Sequence, residues 1–348
     1  MAQRTIRILG IESSCDETAA AIVEDGRHIA ADFISTQIDI HKQYGGVFPE
    51  VASRQHVLAV YPVIEEVMSK AHMSYSDIDA IAVTRGPGLA GSLVVGMNAA
   101  KGLAFSTGLP LIGINHLEGH IYSSWVYSDR DETVPEEPEF PAIVLLASGG
   151  HSEIILVKEH LKYERLGGTL DDAAGEAFDK VARAIGLGYP GGPKIDKLAR
   201  EGNPHAIAFP RAHIEDCPYD YSFSGVKSAV LNYLNQCEMK GEEVNRADVA
   251  ASFQEAVVDA LCGKAVAAAN AFGYDKIALA GGVACNSALR QKMEEMCAAA
   301  KIKLYYPEPI LCTDNAAMIG AAGYYEYMKG RRDGLDLNAV PNLRIGER

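Results

Sequence analysis

Apolar runs of strand length alternate with longer stretches of helical spacing along most of the chain. "IRILGIE" (6–12) reads as a buried strand, and "TAAAIVEDG" (18–26) as a second strand closing on a turn. His56 to Ala71 carries apolar residues at helical spacing. "IDAIAVTRGPG" is a strand running into a Gly-Pro turn. "SLVVGMNAAKGLAFSTG" follows as a helix ended by Gly108 and Pro110. "PLIGI" is a further short strand. Much later, 247–273 has a long helical pattern, and 276–300 reads as strand, Gly-Gly turn, helix.

Between these halves, Ser128 to Pro141 is acidic and proline-rich, which suits a linker or exposed loop. It predicts an N-terminal α/β domain over 1–130 and a C-terminal one over 138–348, with the last helix packing back on the first. Two segments share one design. "IRILGIESSCDETAAAIVEDGR" and "PAIVLLASGGHSEIILVKEHLKY" each run from an apolar strand through a small-residue turn into a second apolar strand. The pattern predicts an α/β fold with a central sheet in each of two related halves.

The chain has 348 residues, enough for two ordinary domains, and 48% of them are apolar. A formal charge of −14 argues against blanket binding to phosphate backbones or anionic membranes, but leaves room for a local basic patch. The seven cysteines form no CxxC pair, which fits reduced thiols in a cytoplasmic protein. No apolar run reaches membrane-spanning length, and Glu12 and Asp16 interrupt any signal-peptide core.

Four glycine-rich turns follow apparent strands: "TRGPGLAGS", "LASGGHS", "LGYPGGPKID" and "LAGGVACNS". Glycine lets backbone N–H groups approach phosphate oxygens. None is a Walker loop or a GxGxxG fingerprint. Asn286 stands where a helix starts, either as its cap or as a contact to a sugar or base. Asp172, Glu176 and Asp179 fall at helical spacing, as a solvated face, a hydroxyl-binding group or a magnesium site. Glu12, Asp16 and Glu17 cluster at the first strand's end, where Glu12 is a candidate general base.

"NHLEGH" puts His116 and His120 four apart, on one helix face, able to grip one cation. A zinc peptidase needs its glutamate next to the first histidine. Here that residue is Leu117, and Glu118 points nearly opposite the pair, so the peptidase reading is poor and the metal reading survives. Candidates for a third ligand are Asp314, which is also placed to cap a helix, and His151. Two histidines and a carboxylate leave open positions for a substrate.

Together, "GIESSCDET", "GGVFPEVASRQH", "TRGPGLAGSLVVG", "NHLEGH", "LASGGHS", "DDAAGEAFDK", "YPGGPKID", "YSFSGVKSAV", "LAGGVACNS" and "CTDNAAMIG" closely resemble the TsaD family, in its bacterial or organellar branch. The resemblance spans roughly Ile8 to Tyr327. It implies an actin-like ATPase fold, shared with sugar kinases and Hsp70-type chaperones, with two related α/β domains around a nucleotide cleft. It implies a tRNA N6-adenosine threonylcarbamoyltransferase. Such an enzyme moves the threonylcarbamoyl group of threonylcarbamoyl-adenylate to N6 of the adenine beside the anticodon, in tRNAs reading codons that begin with A, and releases AMP. It implies a divalent metal, Fe2+ with Zn2+ or Mg2+ as alternatives, held by His116, His120 and Asp314. It implies adenine-nucleotide contacts at Leu146, Ala147, Ser148, Gly149, Gly150, Asp179, Gly192, Asp196 and Asn286. Glu12 is assigned as the base assisting the attacking amine. The family works with a paralogous inactive partner, TsaB, and a small ATPase, TsaE. Basic residues gather at Lys329, Arg331, Arg332, Arg344 and Arg348, either as a solvated tail or as tRNA contacts. The rival readings are a small-molecule kinase of the same fold and a non-enzymatic nucleotide-binding scaffold.

Overall fold

The computed structural model describes residues 4–131, 134–212 and 214–347, so Glu132 and Thr133 of the expected linker and Arg348 of the basic group lie outside it. Two sheets organise the chain. The first contains β1 (Arg7–Glu12), β2 (Glu17–Glu24), β3 (His28–Thr36), β4 (Ala80–Gly86), β5 (Leu111–Asn115) and β6 (Tyr127–Ser128). The second contains β7 (Ala142–Ala147), β8 (Ser152–Glu159), β9 (Lys162–Gly168), β10 (Lys276–Ala280) and β11 (Lys303–Tyr305). The orders are β5-β4-β1-β2-β3-β6 and β11-β10-β7-β8-β9. In each, the opening strand pairs antiparallel with the next strand and parallel with a much later one: β1 with β2 and β4, β7 with β8 and β10. The resemblance between the two strand-turn-strand segments is therefore a repeat of topology.

The chain divides into two units. The first holds residues up to Pro138, Glu159–Tyr163 and those from Ile310 on; the second holds Glu139–Lys158 and Glu164–Pro309. In the first, β1 is apolar on both faces, as expected of a strand covered twice. Leu9 and Ile11 face a core shared with Val60, Val63, Ile64 and Val67 of the helix Pro49–Lys70 and with Met97 and Leu103 of the helix Ala90–Thr107. The alternate residues Ile8 and Gly10 meet the helix Ala316–Met328 on the other side. A Cβ at Gly10 would lie 2.3 Å from the Ala316 carbonyl oxygen, so that helix rides directly on the strand. This close approach brings the turn before the helix beside the carboxyl ends of β1 and β5.

The helix Pro49–Lys70 starts seven residues before the expected His56, with Pro49 in its first turn. A proline is tolerated there because its missing N–H would be unpaired anyway, while "PEVASRQ" has too few apolar positions to announce a helix. In the second unit, the helix Arg246–Phe272 packs on β7 and β10. Asn245 caps its start, and Gly273, at φ 73°, ends it.

Candidate metal centre and nucleotide cradle

The metal-capable group lies within the first unit. Strand β5 runs straight into the short helix His116–Tyr122, and Asn115 Oδ1 caps it by accepting from Leu117 N at 2.9 Å. One helical turn then sets the His116 and His120 rings edge-to-face, 4.6 Å between centroids. Asp314 reaches them from the turn ahead of the helix Ala316–Met328. The cap of that helix is Asn315, whose Oδ1 accepts from Met318 N at 2.9 Å, which leaves the Asp314 carboxylate for the histidines. Asp314 Oδ1 is 3.4 Å from His116 Nε2 and 3.1 Å from His120 Nε2. Ligand atoms around one cation at about 2.1 Å sit roughly 3–3.5 Å apart, so this spacing fits a shared ion. His120 is 1% exposed; its Nε2 meets the Asp314 carboxylate, and its Nδ1 has no hydrogen-bond partner. A buried imidazole with one nitrogen unpaired is costly unless it has a ligand to serve. Among the described residues, no other group of three His, Cys, Asp or Glu side chains converges in this way. His151 is not in the group; its backbone closes the Ser148–His151 turn.

Glu12 lies beneath the group, wholly buried. Its Oε2 accepts from Thr84 Oγ1 at 2.6 Å and lies 3.0 Å from His116 Nδ1, while Oε1 takes the Ser14 backbone N–H. Burial works against charge on all of these groups, but mutual attraction wins. Asp314 and Glu12 hold His116 well above the usual imidazole range, and His116 in turn keeps both carboxyls below theirs. Glu12, expected as a general base, is thus a buried carboxylate engaged by Thr84, Ser14 and His116. Glu118 also turns away from the metal group, and its Oε1 accepts from Gly346 N at 3.2 Å.

The second unit assembles the other expected residues around the carboxyl ends of β7 and β10, which run parallel with Leu146 opposite Ala280. Leu146 and Ala147 are buried strand residues, so only their backbone is available to a ligand. Ser148-Gly149-Gly150 leaves the first strand and Gly281-Gly282 leaves the second, the edge at which open α/β sheets take ligands. Gly281 is required by the fold itself: its φ is +85°, and a Cβ there would meet the Ala147 carbonyl oxygen at 2.4 Å. Gly149, Gly150, Gly192 and Gly282 differ, since a Cβ on any of them would meet nothing within 4 Å. The protein leaves that space open.

Hydrogen bonds join the surrounding pieces. Gly175 N donates to Ser148 O at 3.1 Å, at the start of the helix Ala174–Ala184. Asp179 on that helix accepts from Gly191 N at 2.6 Å, which sets the helix Gly191–Ala199 carrying Gly192. Asp196 accepts from Ser287 N and Oγ at 3.2 and 2.7 Å, and pairs with Arg200. Asn286 Oδ1 caps the helix Ser287–Ala300 through Leu289 N, and its Nδ2 donates to the buried Gln254 Oε1 at 2.7 Å. Gln254 sits in mid-helix in an alanine-rich stretch, and no local motif marks it. The acidic face expected at Asp172 and Glu176 is not a magnesium site: Asp172 pairs with Lys180 and Lys227, and Glu176 with Lys180. Those lysines already neutralise the charge a cation would need.

The family description "TsaD: tRNA N6-adenosine threonylcarbamoyltransferase" matches residues 28–321. The chain belongs to the TsaD family. A relative of that name from Clostridium botulinum (strain 657 / Type Ba4) is 57% identical over 347 residues, covering 99% of this chain and all of the relative. Another, from Clostridium perfringens (strain ATCC 13124), is 58% identical over 341 residues, 98% of each chain. Among solved structures, HypF of T. kodakarensis superposes with a TM-score of 0.62 at 16% identity over 94% of this chain, which corresponds to 48% of HypF. Component A of (R)-2-hydroxyglutaryl-CoA dehydratase from Acidaminococcus fermentans gives 0.52 at 17% identity, over 93% of this chain and 98% of that one. These two likenesses bear on fold alone, and they place this TsaD-family chain in the actin-like ATPase fold.

Proposed function

We propose that this chain is a tRNA N6-adenosine threonylcarbamoyltransferase, which moves the threonylcarbamoyl group of threonylcarbamoyl-adenylate to N6 of the adenine beside the anticodon, in tRNAs reading codons that begin with A, and releases AMP. The observation that carries this reading is the family match, upheld by near-full-length relatives above 55% identity. His116, His120 and Asp314 are the residues that would hold one divalent ion, in this proposal Fe2+, with Zn2+ or Mg2+ as alternatives. When bound, it supplies a Lewis acid for a phosphate or carbamoyl oxygen.

The chain's own residues do the rest. Glu12, braced by Thr84, is assigned to holding His116 with Nδ1 toward the carboxylate and Nε2 toward the ion, rather than to taking a proton from the amine. Gly149, Gly150, Gly192 and Gly282 admit the adenylate against backbone N–H groups. Asp179 and Asp196 fix the turns that carry those groups, and the second Nδ2 hydrogen of Asn286 remains for the adenosine. Donors fixed in place before the reaction stabilise the charge that develops on the transferring group, and acyl transfer usually owes more of its acceleration to them than to any other effect.

The tRNA is a polyanion and the chain carries −14, so the reading includes partners: a paralogue of the TsaB type and an ATPase of the TsaE type. Two of the basic residues near the end are already engaged within the chain. Arg331 pairs with Glu326 and Asp333, and Arg332 lies 3.8 Å over the Tyr327 ring. No helix among the described residues is long and apolar enough to cross a membrane, and a tRNA substrate puts the work in the cytoplasm. The test is a reconstitution with threonylcarbamoyl-adenylate, tRNA and partners, followed by nucleoside chromatography. Threonylcarbamoyladenosine and AMP in equal amounts are expected. Phosphorylation of a small molecule, or nucleotide binding without any transfer, would replace this reading with one of its rivals.

A further inference from the structure

The helix that carries both histidines has only seven residues. An isolated helix of that length is not stable in water, so its orientation must come from what it packs against. The two histidines differ in how they are held. His116 rests on Glu12 through Nδ1, whereas Nδ1 of His120 has no hydrogen-bond partner and its Nε2 meets the shared Asp314, so apart from that carboxylate the ring goes where the helix backbone puts it.

The two polar side chains on the rear of this helix both reach one stretch far along the sequence. Asn115, 2% exposed, caps the helix with Oδ1 and donates from Nδ2 to Arg344 O at 2.7 Å. Glu118, 1% exposed, accepts from Gly346 N. The stretch is itself pinned. Val340 N donates to Arg85 O at 2.8 Å, Gly88 N donates to Pro341 O at 3.1 Å, and Leu343 is buried. A Cβ on Gly86 would fall 1.9 Å from Val340 O, so the strand end before it is shaped for this contact. Glu347 closes the turn, its Oε2 accepting from Arg344 N at 3.0 Å and its N–H donating to Arg344 O at 3.1 Å.

We propose that 340–347 is a brace that sets the histidine helix from behind, with Glu118 and Asn115 as positioning residues for the metal site. The glutamate of "NHLEGH" thus serves the ion through the backbone of the helix it shares with the ligands. A buried carboxylate needs donors, and Gly346 N–H is one of them. This inference rests on the metal reading of His116, His120 and Asp314.

The probe is Co2+ added to the isolated full-length chain, read by its visible d–d absorption and by competition with a chelator, with thermal midpoints recorded alongside. Glu118→Ala and a chain ending at Leu343 are each expected to weaken Co2+ binding by about tenfold. Combined, they should lose no more than the shortened chain loses alone, because that chain already lacks the Gly346 partner of Glu118. Glu118→Gln keeps an acceptor oxygen and is expected to restore most of the affinity and the wild-type absorption bands. The brace is refuted if the shortened chain binds Co2+ like wild type, or if the two losses multiply. Should Glu118→Ala fail to fold, the shortened chain and Glu118→Gln decide. His116→Ala separates the two claims: if it binds Co2+ as tightly as wild type, the metal reading itself fails, whereas loss there with intact binding in the brace variants removes the brace alone.

Discussion

Replacing Gly150 by valine tests whether the open space at the glycine turns is kept for a ligand. Nothing lies within 4 Å of a Cβ built at Gly150, and its φ is not positive. Adding a side chain therefore meets no protein atom at its root. A residue that fits a glycine's backbone conformation usually stabilises by about 0.4–1 kcal/mol, through the unfolded chain, so the thermal midpoint should hold or rise slightly. Binding should move the other way. If phosphate oxygens rest against the backbone here, the added methyls intrude on them, and overpacking costs about 1–3 kcal/mol, or roughly five- to 150-fold in affinity. Gly281→Val is the contrast: its positive φ and the 2.4 Å approach to Ala147 O predict loss of stability itself. The assay is calorimetric titration with AMP beside thermal denaturation. Unchanged AMP affinity in Gly150→Val and in Gly192→Val would refute the placement of the adenylate.

Two other outcomes are expected. Glu12→Gln should weaken divalent-metal binding by about ten- to a hundredfold without unfolding the chain, measured by chelator competition; full transfer activity with intact metal affinity would contradict its role in holding His116. His160 stacks 3.7 Å from Tyr325 and lies 3.1 Å, through Nδ1, from Tyr122 OH; burial, then the Lys329 charge, pushes its pKa down to about 4. The folded state therefore resists a proton that the unfolded chain accepts. Its contribution is full above about pH 6.5 and lost as pH falls toward 4, on the order of 1 kcal/mol after allowing for its partial exposure. Urea midpoints at pH 7 and 5 should converge in His160→Phe relative to wild type; an equal drop in both would remove this histidine from the account.

The strands and three of the four glycine turns were legible because buried parallel strands are apolar without interruption and their turns carry little else; "LGYPGGPKID" instead joins the helices Ala174–Ala184 and Gly191–Ala199 and follows no strand. The histidine pair was legible because four-residue spacing fixes a helix face. What escaped the sequence depended on distant partners. Nothing local to "CTDNAA" says that Asn315 takes the cap and releases Asp314. Gln254 is visible only once β7, β10 and the helix Ser287–Ala300 are packed. The start of the helix Pro49–Lys70 has no apolar rhythm. Glu12 read as one of three acids at a strand end and a candidate base, whereas Thr84, more than seventy residues later, makes it a buried acceptor.

The most direct measurement pairs metal content with transfer on the same samples. Wild type and the single variants His116→Ala, His120→Ala and Asp314→Ala would be analysed by mass spectrometry for bound metal, and by threonylcarbamoyl transfer with tRNA and partners present. One ion per wild-type chain, with metal and transfer lost together in all three variants at unchanged fold, is the expected result. A metal-free chain that transfers at the full rate, or a variant that keeps its ion, would contradict the account.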